Sequence, residues 1–300
     1  MLLSDMFWIE WVINSWRQAE FYQSENMSEL VNASPLGKNS EYPSEYNPEL
    51  LFPIPRKEKQ LELGLDPENL PFVGSDVWYG YELSWLDSKG KPLAMIGRFE
   101  LPCNSPSLVE SKSFKLYLNS FNQSQFESVA HVQAVMEKDL SQAAGAPVRV
   151  KLMTVAEMEA FGFKPAPGTG VDELDVTIDC YDYSPDLLQR TEGDREETIH
   201  SHLLKSNCPV TGQPDWGTVV VQYKGEAISH ESFLRFICSF RGHQEFHEQC
   251  VERVFTEIQA RFKMESLTVY ARYVRRGGLD INPWRSTHQA EQDDLRLIRQ

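Results

Sequence analysis

Apolar and polar positions alternate in several stretches of the first half of the chain, which is typical of half-buried β-strands. The predicted strands cover residues 77–86, 93–101, 148–153 and 174–183. The polar turn 87–91 joins the first two strands into a predicted hairpin. Apolar residues at helical spacing from Phe126 to Leu140 predict a helix, which Gly145 ends. Thr154 then begins a short helix with the pattern of a capping box.

The second half of the chain repeats this order of elements. Its predicted strands cover residues 198–204, 217–223, 267–274 and 279–281, and its two predicted helices contain the apolar positions of 233–238 and 251–262. Both halves therefore follow the order strand, strand, helix, helix, strand, strand. We predict an α+β fold of two similar units, each an antiparallel sheet with two helices on one face.

Stretches without regular apolar periodicity mark the boundaries of the two units. Residues 1–32 are predicted to be a poorly ordered N-terminal extension, and residues 33–190 form the first predicted unit. That unit begins with an irregular, proline-rich lead-in, and its regular structure is predicted to start at Asp76. A charged connector, 186–197, leads into the second predicted unit, residues 191–300.

Charge and cysteine content narrow the possible classes of function. The 300 residues carry a formal net charge of −15, which argues against broad binding to nucleic acid or to a membrane surface. The apolar run in the first 17 residues is too interrupted for a membrane span and lacks the features of a signal peptide. Five scattered cysteines without a CxxC pair indicate a reducing, cytoplasmic location and no zinc ribbon.

The stretch whose residues most clearly suggest catalysis is the loop that carries Cys208 and Asp215. Pro209, Gly212 and Pro214 lie between them, so the spacer is predicted to be a tight irregular loop and not a helix. Such a loop can fold back and bring the Asp215 carboxyl near the Cys208 sulfur. A lone cysteine is more often a small buried apolar residue, so this loop alone does not decide between packing and catalysis.

Three further segments carry side chains suited to a polar ligand, namely residues 110–115, 246–248 and 275–278. Acidic residues near a helix start are favoured by the helix dipole, so Glu110 and Glu248 each have a purely structural interpretation. Two arginines followed by two glycines can be a simple basic turn. They also suit a phosphate group, because glycine permits close approach of the backbone and arginine binds phosphate through two nitrogens.

Taken together, these segments resemble the NADPH-dependent 7-cyano-7-deazaguanine reductases, the nitrile reductases of queuosine biosynthesis. The matching positions are Glu110-Ser111-Lys112, Ser206-Asn207-Cys208-Pro209 through Asp215-Trp216, Glu245-Phe246-His247-Glu248 and Arg275-Arg276-Gly277-Gly278. The resemblance runs from about residue 33 to the end and fits the long form of the family. It implies two tandem tunnelling-fold (T-fold) units, a homodimer, and reduction of a nitrile to a primary amine by NADPH without a metal.

The resemblance also implies roles for individual residues. Cys208 would add to the nitrile carbon and form a thioimide, Asp215 would move the proton, and His247 would assist. The implied contacts to 7-cyano-7-deazaguanine are Val109, Glu110, Ser111, His247 and Glu248. The implied contacts to NADPH are Ser111, Lys112, Arg276 and Gly277. No GxGxxG motif follows a predicted strand, so the cofactor is not expected to bind to a Rossmann domain.

Two other classes of protein remain open from the sequence. A pterin-type cyclohydrolase of the same fold needs zinc, for which Cys208 and His247 are available but no third ligand is evident. A non-catalytic deazapurine-binding protein would keep Glu110 and Glu248 and would not need Cys208 together with Asp215. The joint presence of Cys208 and Asp215 favours the reductase.

Overall fold

A computed structural model of the protein describes residues 33–34, 42–288 and 296–300. The predicted N-terminal extension, residues 1–32, lies outside the described residues. Within the part of the chain that is described, no helix is both long enough and apolar enough to cross a lipid bilayer.

The described chain contains ten strands and six α-helices. The strands are β1 Pro53–Pro55, β2 Val73–Leu86, β3 Pro92–Pro102, β4 Ser107–Val109, β5 Arg149–Thr154, β6 Thr169–Gly170, β7 Arg190–Asn207, β8 Pro214–Ile228, β9 Met264–Tyr273 and β10 Leu279–Ser286. The helices are α1 Lys57–Glu62, α2 Ser111–Ser120, α3 Val129–Ala144, α4 Val155–Glu159, α5 His230–Ser239 and α6 His247–Arg261. Short 3₁₀ turns lie at Pro48–Leu50, Pro185–Leu187 and Phe240–Gly242.

Eight of the strands form one continuous sheet in the order β5-β3-β2-β10-β9-β8-β7-β6. Neighbours in this sheet are antiparallel except for the short parallel pair of β6 and β7. The two halves of the chain meet where β10 pairs with β2, from Leu279 opposite Gly80 to Ser286 opposite Val73. The two predicted antiparallel sheets are therefore joined edge to edge into a single sheet.

The long helices pack on one face of this sheet, α2 and α3 over the first half and α5 and α6 over the second. The first-half core includes Trp78, Phe99, Phe114, Tyr117, Val132 and Leu140. The second-half core includes Val221, Phe236, Phe240, Val254, Phe255 and Leu267. Each such buried side chain stabilises the fold by roughly 1.5–3 kcal/mol. The predicted α+β fold with antiparallel strands and helices on one face is confirmed.

Local signals in the sequence set the ends of these helices. The Ser128 hydroxyl accepts a hydrogen bond from the backbone N–H of His131 and caps α3, and Gly145 ends this helix with a φ of 72°. Thr154 and Glu157 form the predicted capping box at the start of α4. These short-range predictions are confirmed because each depends on residues within one helical turn.

The prediction of a strand over residues 174–183 is wrong, because this segment is irregular. Val176 and Ile178 pack against the second-half core while their neighbours are exposed, which reproduces the alternation of a strand without a strand partner. The first half consequently lacks the last of its predicted strands, while α4 follows β5 as predicted. The second half has all six predicted elements in the predicted order.

The predicted charged connector 186–197 is also wrong over most of its length, because β7 already begins at Arg190. Its charged residues lie in an exposed antiparallel ribbon with β8, where Arg190 contacts Glu226 at 3.1 Å. Regular structure begins earlier than predicted, since β1 and α1 precede β2. The predicted final strand 279–281 is part of the longer β10.

Candidate active site

The candidate site is a pocket where the loop between β7 and β8 meets the N-terminal ends of α2 and α6. It holds about 360 Å³ of empty space, counting the part that opens to solvent. Its polar lining consists of Glu110, Ser111, Cys208, Asp215, His247, Glu248 and Arg276. Its apolar lining consists of Trp78, Leu108, Val109, Pro209, Phe246 and Ile281. Two of the predicted site residues, Lys112 and Gly277, lie outside this lining.

Cys208 is the first residue after β7, and Asp215 is the second residue of β8. The loop between them closes on itself, because the Cys208 N–H donates to the Gln213 carbonyl at 2.9 Å and the Gly212 N–H donates to the Cys208 carbonyl at 3.0 Å. Gly212 adopts a φ of 65°, which a residue with a side chain rarely takes. Both the thiol of Cys208 and the carboxyl of Asp215 are buried and line the pocket.

Two cationic or polarisable groups contact the Asp215 carboxylate. Arg276 Nη1 lies 2.8 Å from Oδ1, and His247 Nε2 lies 3.3 Å from Oδ2. The His247 ring stacks on the Tyr273 ring with centroids 3.9 Å apart and planes inclined by 10°. Within the described residues, the buried Nδ1 of His247 has no hydrogen-bond partner. The two ring nitrogens thus differ, since Nε2 faces Asp215 and Nδ1 is buried without a partner among the described residues.

Glu248 lies in the first turn of α6 and is 2% exposed. Burial raises the pKa of this carboxyl to about 7, and the negative charge of Asp76 adds to the rise. The nearby His247 and the N–H of Glu248 itself act in the opposite direction. Near neutral pH the empty pocket therefore contains a glutamate that is divided between its acid and carboxylate forms.

Glu110 caps the N-terminus of α2, and its carboxyl is fully buried. The carboxyl accepts hydrogen bonds from the backbone N–H of Lys112 at 2.6 Å and of Ser113 at 2.8 Å, and from the Ser111 hydroxyl at 3.3 Å. Burial raises the pKa of Glu110, and these hydrogen bonds partly offset the rise. The structural interpretation as a helix-start acid is thus correct for Glu110, but this helix start is buried and not solvated.

The turn after β9 brings cationic side chains to the mouth of the pocket. The Arg276 side chain is 31% exposed. Gly277 has a φ of 62°, and a Cβ at this position would come within 3.1 Å of Lys115 Nζ. Lys115 therefore lies across the glycine turn, near the start of α2. The Arg275 guanidinium lies 3.5 Å from the centroid of the Tyr81 ring.

The sequence did not identify several residues that shape this pocket. Trp78 and Ile281 lie opposite each other on β2 and β10, so the pairing of these two strands places both in the lining. Phe246 immediately precedes α6 and was noted only as a neighbour of His247. The only indication in the sequence that Phe246 lines the pocket is its position directly before His247 and Glu248. Within the described residues, no three His, Cys, Asp or Glu side chains are grouped as a metal site requires.

Two family models and one solved structure match parts of the chain. A family model described as nitrile reductase, 7-cyano-7-deazaguanine-reductase N-term matches residues 42–152. A model described as QueF-like protein matches residues 214–292. Among solved structures, the apo form of the archaeosine synthase QueF-Like covers 34% of this chain and 100% of its own, at 16% identity and a TM-score of 0.29.

Similarity to a curated relative extends over most of the chain. The NADPH-dependent 7-cyano-7-deazaguanine reductase of Dechloromonas aromatica (strain RCB) is 57% identical over 277 residues. The match covers 92% of this chain and 98% of that protein. The chain therefore belongs to the family of NADPH-dependent 7-cyano-7-deazaguanine reductases.

Proposed function

We propose that this chain reduces the nitrile of 7-cyano-7-deazaguanine to the primary amine of 7-aminomethyl-7-deazaguanine with NADPH, through a thioimide on Cys208. The observation that carries the proposal is the convergence of Cys208, Asp215, His247 and two buried glutamates in one pocket. Membership of the reductase family supports the same activity. In the cell this reaction serves queuosine biosynthesis for tRNA.

Cys208 provides the nucleophile that makes the nitrile reducible. Its sulfur forms a bond to the nitrile carbon, one π bond of the C≡N group breaks, and the nitrogen takes up the proton. The product is a thioimide, whose C=N bond accepts hydride more readily than a nitrile does, so one difficult step becomes two easier ones. When bound, NADPH supplies the hydride equivalents of both reduction steps.

Asp215 is the residue that we assign to moving the proton from sulfur to nitrogen. Its contacts with Arg276 and His247 fix the carboxylate in one orientation at the pocket wall. A carboxylate in a fixed position can accept the thiol proton and return it to the nitrile nitrogen without waiting for solvent. His247 assists by holding Asp215 through Nε2 and by offering the buried Nδ1 to the substrate.

The two buried glutamates have unequal capacity to bind the guanine-like edge of the substrate. A carboxylate has about four positions at which it accepts hydrogen bonds. Glu110 already uses three of them on α2, so it can accept about one more. Within the described residues, the Glu248 carboxyl accepts from no donor other than its own backbone N–H. Glu248 is therefore the better partner for the two adjacent N–H donors of the base, with Glu110, Val109 and Ser111 forming the opposite side.

The residues that we assign to NADPH suit a phosphorylated cofactor. Ser111 and Lys112 lie at the start of α2, and Arg276 with Gly277 lies in the turn after β9. The N–H groups of Lys112 and Ser113 already donate to Glu110. Side chains and the glycine turn must therefore provide the contacts to phosphate. Arginine has five N–H donors, so Arg276 can contact Asp215 and a phosphate together.

We also propose a cytoplasmic homodimer that does not bind nucleic acid or a membrane. The net charge of −15 supports the last two points, since it repels phosphate-rich surfaces. The five free cysteines support a reducing compartment. Strand β5 forms one end of the sheet, and an end strand offers unpaired backbone groups to a second copy.

The thioimide predicts a covalent adduct with Cys208. Intact mass spectrometry after mixing with 7-cyano-7-deazaguanine, without NADPH, should show a gain of one substrate mass. The gain should vanish in Cys208→Ala and persist in Cys238→Ala, which changes another buried cysteine. An adduct that survives in Cys208→Ala would contradict the assignment of the nucleophile. Substrate binding without any turnover would instead favour the deazapurine-binding protein.

Removal of metal distinguishes the reductase from the cyclohydrolase. We expect NADPH oxidation with 7-cyano-7-deazaguanine to be unchanged after exhaustive treatment with a chelator, because each proposed step uses protein side chains or NADPH. Zinc analysis of the same samples provides the control. A protein that contains stoichiometric zinc and oxidises no NADPH with 7-cyano-7-deazaguanine would favour the pterin-type alternative.

The protonation of Glu248 predicts how substrate binding depends on pH. In Cys208→Ala, where no adduct forms, the Kd for 7-cyano-7-deazaguanine should rise about tenfold for each pH unit below 7, because the carboxylate form is the acceptor. Glu248→Gln should bind about 10- to 100-fold more weakly at pH 8 and show little pH dependence. Calorimetric titrations across the pH range measure both effects. An unchanged pH profile in Glu248→Gln would contradict the role of Glu248.

The homodimer predicts a particle of twice the chain mass of 34.5 kDa. Light scattering coupled to size exclusion should give this value at micromolar concentration. A mass of one chain that persists up to higher concentrations would rule out the stable dimer, and the proposed pocket chemistry would be unaffected.

A further inference from the structure

Buried charged side chains continue from the pocket into the interior of the protein. Arg56, Asp76, Glu252 and Arg285 are each at most 3% exposed. Arg56 Nη2 lies 2.5 Å from one oxygen of Asp76, and Arg285 Nη1 lies 2.9 Å from the other. Arg285 also donates through Nη2 to Glu252 at 2.7 Å. These four side chains form a continuous network that none of the proposed reaction steps uses.

The network lies directly behind Glu248. Asp76 and Trp78 are two residues apart on β2 and therefore lie on the same face, and Trp78 lines the pocket together with Glu248. Glu252 follows Glu248 by four residues on α6, so the two side chains lie on the same side of the helix. Arg285 joins Asp76 to Glu252 and thereby ties α6 to β2. Asp76 consequently faces Glu248 from the sheet.

The net pKa shifts of Asp76 and Glu248 are opposite, although burial acts to raise both. Burial acts to raise the pKa of Asp76, but Arg285 and Arg56 lower it below its usual value. Asp76 is thus an ion at neutral pH. Burial raises the pKa of Glu248, and the charge of Asp76 raises it further, whereas Arg56 lowers it. Arg285 is engaged with Asp76 and Glu252, and Arg56 is engaged with Asp76 and Ser105.

We propose that Asp76, held as an ion between Arg56 and Arg285, is a positioning residue that sets whether Glu248 meets the substrate as an acid or as a carboxylate. This inference rests on the proposed function, in which Glu248 binds the guanine-like edge. In the empty pocket a neutral Glu248 avoids a buried charge without a partner. When the base arrives, its two N–H donors compensate the carboxylate, and the proton leaves. Substrate binding and proton release are thereby coupled.

Several ionisable groups face Glu248, and a test that changes one of them must keep the others constant. They are His247 and Glu252 on α6, Asp76 on β2, Arg285 on β10, Arg56 before α1, and Glu110, Cys208, Asp215 and Arg276 across the pocket. Changes at Asp76 and Arg56 leave every group across the pocket in place. The two changes also remove charges of opposite sign, so they must act on Glu248 in opposite directions if the inference is right.

The test compares Asp76→Asn with Arg56→Gln in the Cys208→Ala background. The first readout needs no ligand: the carboxyl ¹³C resonance of Glu248, identified by its loss in Glu248→Gln, is followed against pH. Its midpoint should move to lower pH in Asp76→Asn and to higher pH in Arg56→Gln. The second readout is the Kd for 7-cyano-7-deazaguanine. Asp76→Asn should bind about tenfold more tightly than its parent at pH 6 and equally at pH 8. Arg56→Gln should bind several-fold more weakly at pH 8.

Two control variants distinguish an effect of charge on the titration of Glu248 from an effect of altered packing. Arg56→Lys keeps the positive charge and should leave the Glu248 midpoint near that of the parent. Asp139→Asn removes a different buried carboxyl, which accepts hydrogen bonds from Tyr46 and Tyr117, and should also leave the midpoint unchanged. A purely structural network would weaken binding in Asp76→Asn and Arg56→Gln alike without moving the midpoint.

The test distinguishes failure of the role of Asp76 from failure of the proposed function. Midpoints that stay fixed, or that move in the same direction in both variants, would overturn the role of Asp76. Midpoints that move as expected in a protein that does not bind 7-cyano-7-deazaguanine would support the charge coupling and overturn the assigned substrate. If Asp76→Asn does not fold, the pair Arg56→Gln and Arg56→Lys decides, because only the former should move the midpoint.

Discussion

The pairing of β2 with β10 is the constraint on which the rest of the structure depends. This pairing joins the beginning of the described fold to its end and turns two half-sheets into one. It places Trp78 opposite Ile281, and both line the pocket. It also brings Asp76 of β2 within reach of Arg285 of β10. The pocket and the charges behind it therefore depend on the same backbone hydrogen bonds.

That arrangement carries an electrostatic cost, because it buries several acidic groups in one region. An unpaired ion in the interior costs several kcal/mol, so each buried carboxyl must find compensation. Asp76 and Glu252 find it in arginines, and Glu110 finds it in the N–H groups at the start of α2. Glu248 is compensated by its own N–H, by His247 and by Arg56, and these do not outweigh burial and the charge of Asp76, so Glu248 retains its proton to a higher pH. The least compensated carboxyl is thus the one that faces the open part of the pocket.

The sequence predicts the parts of this fold that depend on neighbouring residues. The hairpin of β2 and β3, the cap and end of α3, and the capping box at Thr154 follow from patterns within a few positions. The segment 174–183 shows the limit of such patterns. Its alternation comes from Val176 and Ile178 docking on a core, and nothing local distinguishes that from pairing with another strand. The sequence pattern also underestimates the length of β7. The exposed part of β7 pairs with β8, but it has no apolar face and so shows no alternation of apolar and polar residues.

The residues of the candidate site differ in the same way in how well local sequence patterns identify them. Cys208 and Asp215 stood out because proline, glycine and reactive residues lie close together in the sequence. The segment around His247 stood out only through its resemblance to the reductase family. Arg56, Asp76 and Arg285 did not, because each is an ordinary charged residue in its local context and acquires meaning only through partners far along the chain. The number of hydrogen bonds that Glu110 already accepts was likewise invisible, and it is this number that separates the two glutamates.

Arg276 links the two ends of the proposed chemistry. Its Nη1 lies 2.8 Å from the carboxylate of Asp215, and its side chain is 31% exposed in the turn that contains Gly277. A planar guanidinium can serve two anions at fixed angles, whereas the single ammonium of a lysine would have to choose between them. On the proposed assignments, an anion that draws Arg276 outward would loosen its hold on Asp215. Cofactor binding would then be physically coupled to the orientation of the proposed proton-transfer group, even though the two were proposed from separate segments of the sequence.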